Sequence, residues 1–164
     1  VTPAPVDLAT MIDDLEQALL AGKIVAYAQG FEVLAEASRE YGWDLPLSRI
    51  AEIWREGCII RSVFLNDISA VFRDDASVDT LLLAPAFVEK MQKAAPALRL
   101  AVGYCVTHSL PVPALSAALN HFDYFRQGQS TANVLQAQRD FFGAHGFERT
   151  DKDGNDFHGP WAMG

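Results

Sequence analysis

The chain has little of what many specialised proteins are built from. Its 164 residues include two cysteines, Cys58 and Cys105, each set in an apolar stretch. Neither a disulfide framework nor a zinc site follows from two such thiols, and a reducing, cytoplasmic compartment is expected. Basic residues are outnumbered 13 to 21, giving a formal charge of −8. An acidic surface repels phosphate backbones, which argues against a nucleic-acid partner. No unbroken apolar run reaches the roughly 18–20 residues needed to cross a bilayer, so no membrane partner is expected. The longest, around Ile59 to Leu65, is interrupted by Arg61 and Ser62. Residues 1–5 have neither a basic start nor an apolar stretch, so they are not read as a signal peptide. The lack of an initiator Met fits a chain that is part of something longer.

Recognisable chemistry is scarce as well. No two glycines stand two apart, so there is no Gly-x-Gly-x-x-Gly phosphate turn, and Gly22-Lys23 lacks the rest of a Walker loop. None of His108, His121, His145 and His158 belongs to a His-Glu-x-x-His pair or has Glu three residues before it. Zinc-protease and di-iron helical signatures are therefore missing, and no metal site is expected. No serine or cysteine nucleophile motif is recognisable. The pattern alone describes a domain with no catalytic, cofactor-binding or metal-ligating residue.

What is abundant is helical period. Half of the residues are apolar and 21% are charged, a globular balance. Ile12, Leu15, Leu19, Ile24, Tyr27, Phe31 and Leu34 recur at spacings of three to five, with no proline over about 7–41. That predicts one long helix, or two joined near Gly22. Gly42-Trp43-Asp44-Leu45-Pro46 breaks the pattern. A second helix carries Ile50, Ile53 and Trp54 and ends at Gly57; a third carries Ile60, Phe64, Ile68 and Val71. Pro85 suits the first turn of a fourth, whose stripe runs through Phe87, Met91, Ala94, Leu98, Val102 and Cys105. Pro96 inside that stripe predicts a kink or a break. Leu110-Pro111-Val112-Pro113 separates a helix over about 114–125, and a last helix spans about 133–142, ended by Gly143. Residues 147–164 are poor in apolar side chains and carry a turn signal at Asp153-Gly154, so they read as an extended tail or small hairpin. The expectation is an all-α fold of six or seven helices, with a helical domain over 1–146 and a tail over 147–164.

One stretch goes further. Gln136-Ala137-Gln138-Arg139-Asp140-Phe141-Phe142-Gly143-Ala144-His145 closely resembles the signature near the C-terminus of the decarboxylating 6-phosphogluconate dehydrogenase family, which has Tyr where Phe141 stands. Three other blocks agree in order. They are Gly22-Lys23-Ile24-Val25-Ala26-Tyr27-Ala28-Gln29-Gly30-Phe31, the segment from Ile53-Trp54-Arg55-Glu56-Gly57-Cys58 to Leu65, and Leu81-Leu82-Leu83-Ala84-Pro85 with Leu110-Pro111-Val112-Pro113. The resemblance runs from about Leu15 to Trp161.

It implies the C-terminal helical domain of an enzyme that oxidises 6-phosphogluconate at C3 with NADP, releases CO2 and yields ribulose 5-phosphate. Such enzymes serve the pentose phosphate pathway and gluconate utilization. The cofactor-binding Rossmann domain and the catalytic Lys and Glu of that family are not in this chain, where Leu19 and Ala26 occupy the nearest comparable positions. The chain alone is therefore expected to be inactive. The resemblance also implies a homodimer in which Arg139 and His145 contact the substrate bound by the partner subunit, with the tail threaded into that subunit. A guanidinium suits a phosphate or carboxylate, and a histidine just past a helix end donates to the same anion.

Each assignment has a plainer rival. Arg139 could form only a surface ion pair with Asp140 or another carboxylate, and His145 could be a helix C-cap. Lys23 is read as a solvated or packing residue and Arg61 as the partner of a buried carboxylate or helix end. Cys58 is read as core, Trp43 and Trp54 as core or interface, His158 as a packing group of the tail, and His108 and His121 as surface. Gly146, where the family has Thr, is expected to make the tail entry more flexible. Two rival functions remain open. One is a non-catalytic helical homodimerisation module. The other is a related hydroxyacid dehydrogenase, which the second helical repeat and the tail argue against.

Overall fold

A computed structural model of the chain describes residues 7–57 and 59–163. The readings made on residues 1–5 and on Cys58 lie outside the described residues. The helices are α1 (Leu8–Tyr41), α2 (Leu47–Gly57), α3 (Leu65–Asp74), α4 (Pro85–Thr107), α5 (Pro113–Phe125) and α6 (Ala132–Gly143). Short 3-10 turns cover Leu81–Leu83 and Pro160–Met163. The expected all-α fold is what is found, and the only β pairing among the described residues is one isolated bridge. The chain divides into two compact units, Val1–Phe122 and Asp123–Gly164, with the boundary inside α5. Compactness thus groups residues 123–146 with the tail. The expected 146/147 boundary marks the change in apolar composition, a different division from this compact one.

In the first unit α1 is continuous over 34 residues. Asp7 caps it, accepting from the Thr10 N–H and hydroxyl, and Gly42 ends it in the left-handed region at φ 64°. Gly22 is a crossing point and not a joint: a Cβ there would lie 2.6 Å from Leu115 Cδ2, so α5 approaches α1 where no side chain intervenes. By length and composition α1 is apolar enough to cross a bilayer, although Lys23 and Glu32 interrupt its apolar run. Its residues Ala18, Ala21, Ile24, Val25, Ala28 and Phe31 are instead buried in the core of this unit.

α1 packs chiefly on α4, and α2 on α3. An aromatic string runs through the core. Phe31 stacks on Phe72 at 5.3 Å and tilts against Trp54 at 5.2 Å, while Phe64 sits edge-on to Tyr27 at 4.8 Å and to Phe87 at 6.3 Å. Ile60 and Phe64 precede α3, although their spacing predicts helix. Residues Ser62 to Phe64 form a lead-in turn whose carbonyls accept from Leu65, Asn66 and Asp67, and the Ile60 carbonyl accepts from the Tyr27 hydroxyl.

Pro96 neither breaks nor ends α4, contrary to one expectation. The carbonyl it leaves without a partner is that of Gln92. Both residues are exposed, so water can take the bond while buried Ala94, Ala97 and Leu98 hold the helix in place. His108 and His121 are half-buried, where a surface position was expected. The His108 ring stacks on Tyr104 at 4.0 Å and its Nδ1 lies 2.8 Å from the Tyr104 carbonyl, closing the end of α4. His121 has a buried Nε2 with no hydrogen-bond partner among the described residues.

In the second unit, α6 is followed by Ala144 in the left-handed region, whose N–H returns to the Asp140 carbonyl at 2.8 Å. The tail then pairs Phe147 with Phe157 through two backbone bonds of 2.9 and 3.2 Å, the small hairpin that the turn signal predicts. Arg149 forms a two-point pair with Asp151 across the loop, both contacts 2.7 Å.

Candidate functional site

The second unit is organised by an acid. Asp140 lies in the last turn of α6 and is its one buried residue among those described. A carboxylate there faces the negative end of the helix dipole, so it is costly unless donors surround it. Four do. Oδ1 accepts from the Gly146 N–H at 3.0 Å and lies 2.6 Å from His158 Nδ1; Oδ2 accepts from the Gly159 N–H at 2.9 Å and the Trp161 indole N–H at 2.7 Å. The Gly159 amide does most to hold the Asp140 carboxyl far below its ordinary range. Burial works against this, and His158, Gly146 and Trp161 add to it. His158 is pushed above its ordinary value, first by its hydrogen bond to Asp140 and against its own desolvation. Both imidazole nitrogens face carboxylates, Nε2 being 3.3 Å from Asp156 Oδ1, an arrangement that suits the imidazolium.

Two glycines make this arrangement possible. At Gly159 a Cβ would fall 2.1 Å from the Trp161 ring, so only glycine lets the indole reach Asp140. At Gly146 φ is +68°, and a Cβ would lie 3.2 Å from the Asn155 carbonyl. The glycine that replaces the family's Thr does not loosen the tail entry, because its amide is bonded and its turn is packed.

Arg139 and His145 flank this acid in sequence. Arg139 is exposed, and its guanidinium donates to Gln136 Oε1 at 2.8 Å and to no carboxylate among the described residues. The plain alternative of an Arg139–Asp140 ion pair is therefore not the arrangement found. His145 is exposed just past the C-cap, with its ring folded over Gly143, where a Cβ would lie 2.7 Å from Nε2. No hydrogen bond links Arg139 and His145 among the described residues, and both are exposed near the end of one helix. Gln136 also lines an open cavity of about 290 Å³ with Gln129, Asn133, Phe147 and Arg149.

Lys23 and Arg61 lie elsewhere, in the first unit. Both line a mainly apolar cavity of about 460 Å³ with Tyr27, Trp54, Ile59 and Ile60. Lys23 donates to Ser62 Oγ at 3.0 Å and sits 5.4 Å from the centre of the Phe64 ring, which makes it a packing residue. Arg61 is exposed and pairs with no carboxylate among the described residues, so of the two partners expected for it the buried carboxylate is not found. No cluster of metal-ligating residues occurs among the described residues. Asp140 is the residue the sequence reading missed. The available signals were an acid in the last turn of a helix and the glycines at 143, 146 and 159 downstream of it.

Comparison with known proteins bears on what this helix end serves. Residues 2–161 match the family model for the C-terminal domain of 6-phosphogluconate dehydrogenase. The chain is similar to a decarboxylating 6-phosphogluconate dehydrogenase of Treponema pallidum, 52% identical over 92% of the chain and 31% of that protein. It is similar also to a Bacillus subtilis enzyme described as NAD(+)-dependent and decarboxylating, 47% identical over 95% of the chain and 33% of that protein. Among solved structures, a Plasmodium falciparum 6-phosphogluconate dehydrogenase, studied in apo form, with its cofactor NADP+ and with its substrate 6-phosphogluconate, superposes with a TM-score of 0.89. It is 38% identical, over 98% of this chain and 34% of its own. The chain thus spans about a third of the length of these relatives.

Proposed function

The chain belongs to the 6-phosphogluconate dehydrogenase C-terminal domain family, and from that premise we propose that it forms the helical third of a decarboxylating 6-phosphogluconate dehydrogenase. In this reading Arg139 and His145 bind the anionic substrate in the site of a partner subunit. The observation that carries it is their presentation. Both stand exposed at the end of α6, at the positions that match the family signature, on a turn anchored by Asp140. A guanidinium without a carboxylate partner is suited to a phosphate or carboxylate from outside.

The remaining steps belong to the rest of such an enzyme. The whole protein would oxidise the C3 hydroxyl of 6-phosphogluconate, passing hydride to NADP+, and the resulting β-keto acid would lose CO2. The sequence has no glycine-rich phosphate turn for the dinucleotide, which such an enzyme would hold outside this domain. A relative from Bacillus subtilis is described as NAD(+)-dependent, so the choice of nicotinamide is proposed to lie in the two thirds of such an enzyme that this chain does not span.

A homodimer is part of the proposal. Leu8, Ile12, Leu15 and Leu19 on α1, with Ile53, Ile59, Ile60 and Val63, leave large apolar side chains in solvent, as interfaces do. The tail over 147–164 is proposed to reach into the partner subunit, and the enzyme to work in the cytoplasm. The test is to assay nicotinamide reduction by 6-phosphogluconate in the full-length protein, with and without Arg139→Ala. A KM raised by roughly 30-fold or more, the equivalent of about 2–5 kcal/mol, is expected if the guanidinium meets a desolvated anion. An unchanged KM would remove Arg139 from the site.

A further inference from the structure

We propose that Asp140 is a positioning residue: it sets the place of His145 by bonding the backbone N–H groups of the residues on either side of it, one through its carbonyl and the other through its carboxylate. This rests on the reading of His145 as a substrate contact. The Ala144 N–H is bonded to the Asp140 carbonyl at 2.8 Å, and the Gly146 N–H to the Asp140 carboxylate at 3.0 Å. His145 lies between them with no hydrogen bond of its own among the described residues. Its ring is steered by what surrounds its backbone: Ala144 at φ 50°, Gly146 at φ 68°, and the bare Cα of Gly143 beneath it.

The carboxylate that fixes the turn is itself fixed. Its other three donors come from His158, Gly159 and Trp161, so the end of the tail is tied through one side chain to the turn that carries His145. An acid buried against the helix dipole gains nothing for α6 itself. Its cost is offset only by the turn and tail that it organises. Arg139 precedes it on the same helix turn, so one residue relates both proposed anion donors to each other.

A helix-borne acid that acts through His145 leaves a kinetic signature. In the full-length enzyme, Asp140→Asn keeps the shape but replaces one acceptor oxygen with an NH2 group that meets existing donors. KM for 6-phosphogluconate is expected to rise roughly tenfold with a much smaller change in kcat, the pattern of lost ground-state binding. In a His145→Ala background the same change should add less than about twofold, because the two residues act as one unit. Independent multiplication of the two effects would overturn the proposal, as would an unchanged KM in Asp140→Asn while His145→Ala raises it. If His145→Ala itself leaves KM unchanged, the substrate-contact reading falls and this one falls with it. Should Asp140→Asn fail to fold, Gly146→Ala takes its place: it strains the same turn and leaves the carboxylate intact. The same rise, absorbed by His145→Ala, is expected, and no rise would overturn the proposal.

Discussion

The two units of the chain are held together in opposite ways. In the first, apolar side chains are inside: Phe31, Phe87, Ile24, Leu65 and Leu98 are essentially fully buried. In the second, the buried group on α6 is an acid, while Val134, Leu135, Phe141 and Phe142 of the same helix stand in solvent. One unit is stabilised by non-directional burial, the other by directed hydrogen bonds to a single carboxylate. Burial tolerates small shifts of many atoms, whereas a four-donor acid specifies where each donor must stand. That is the more useful property next to residues proposed to meet a ligand.

The comparison breaks most plainly by exchanging the same side chain in both places. Phe31→Ala opens a cavity between Phe72 and Trp54 and should cost about 3–5 kcal/mol of stability. Phe142→Ala removes an equal ring from α6, where three-quarters of it is exposed, and should cost no more than about 0.5 kcal/mol. Denaturant titration of the chain measures both. A Phe142 effect as large as that of Phe31 would mean that the second unit has an apolar core after all.

This contrast also explains what was legible in the sequence. The first unit announces itself because burial on a helix repeats every three or four residues, so Ile24, Phe31, Leu98 and their neighbours mark α1 and α4 in advance. Gly22 was ambiguous because its reason lies in Leu115, far along the chain. Pro96 misled because the rule concerns the bond it removes and not whether water reaches the vacated carbonyl. The second unit could not be read by period. Three of the four partners of Asp140 sit in the tail and the fourth, Gly146, at its entry, at irregular spacing, and all four are backbone or ring nitrogens. Arg139 and His145 were legible only through the family signature, since an exposed arginine and histidine near a helix end carry no pattern of their own.

Gly159→Ala sharpens the second half of the comparison without touching the first. The added methyl would occupy the place of the indole, 2.1 Å from it, so Trp161 must leave and Asp140 loses that donor. The open fraction of the tail should rise by roughly tenfold, the factor that about 1.4 kcal/mol carries. Tryptic cleavage after Arg149 or Lys152 reads this directly, while the denaturant midpoint of the first unit should stay put. Equal cleavage in the variant and the parent chain would show that Trp161 does not hold the tail down.

The smallest effect is a titration, and its sign follows from the two shifted groups. His158 is raised in the folded chain, so its contribution is complete below its ordinary value of about 6.5 and fades as pH climbs through the higher folded value. Asp140 is lowered, so its contribution is present above the ordinary carboxylate value of about 4 and is lost only as pH falls far below it. The tail is therefore held most firmly between about pH 4 and 6.5 and slackens modestly on the alkaline side, where a neutral imidazole still donates to Asp140 but without charge. NMR titration of the His158 ring should give a midpoint above 6.5 that falls back towards it in Asp140→Asn. A midpoint at or below the ordinary value in the parent chain would mean that His158 joins the acid as a neutral donor. The second unit would then be indifferent to pH on the alkaline side and would loosen only where acid protonates Asp140.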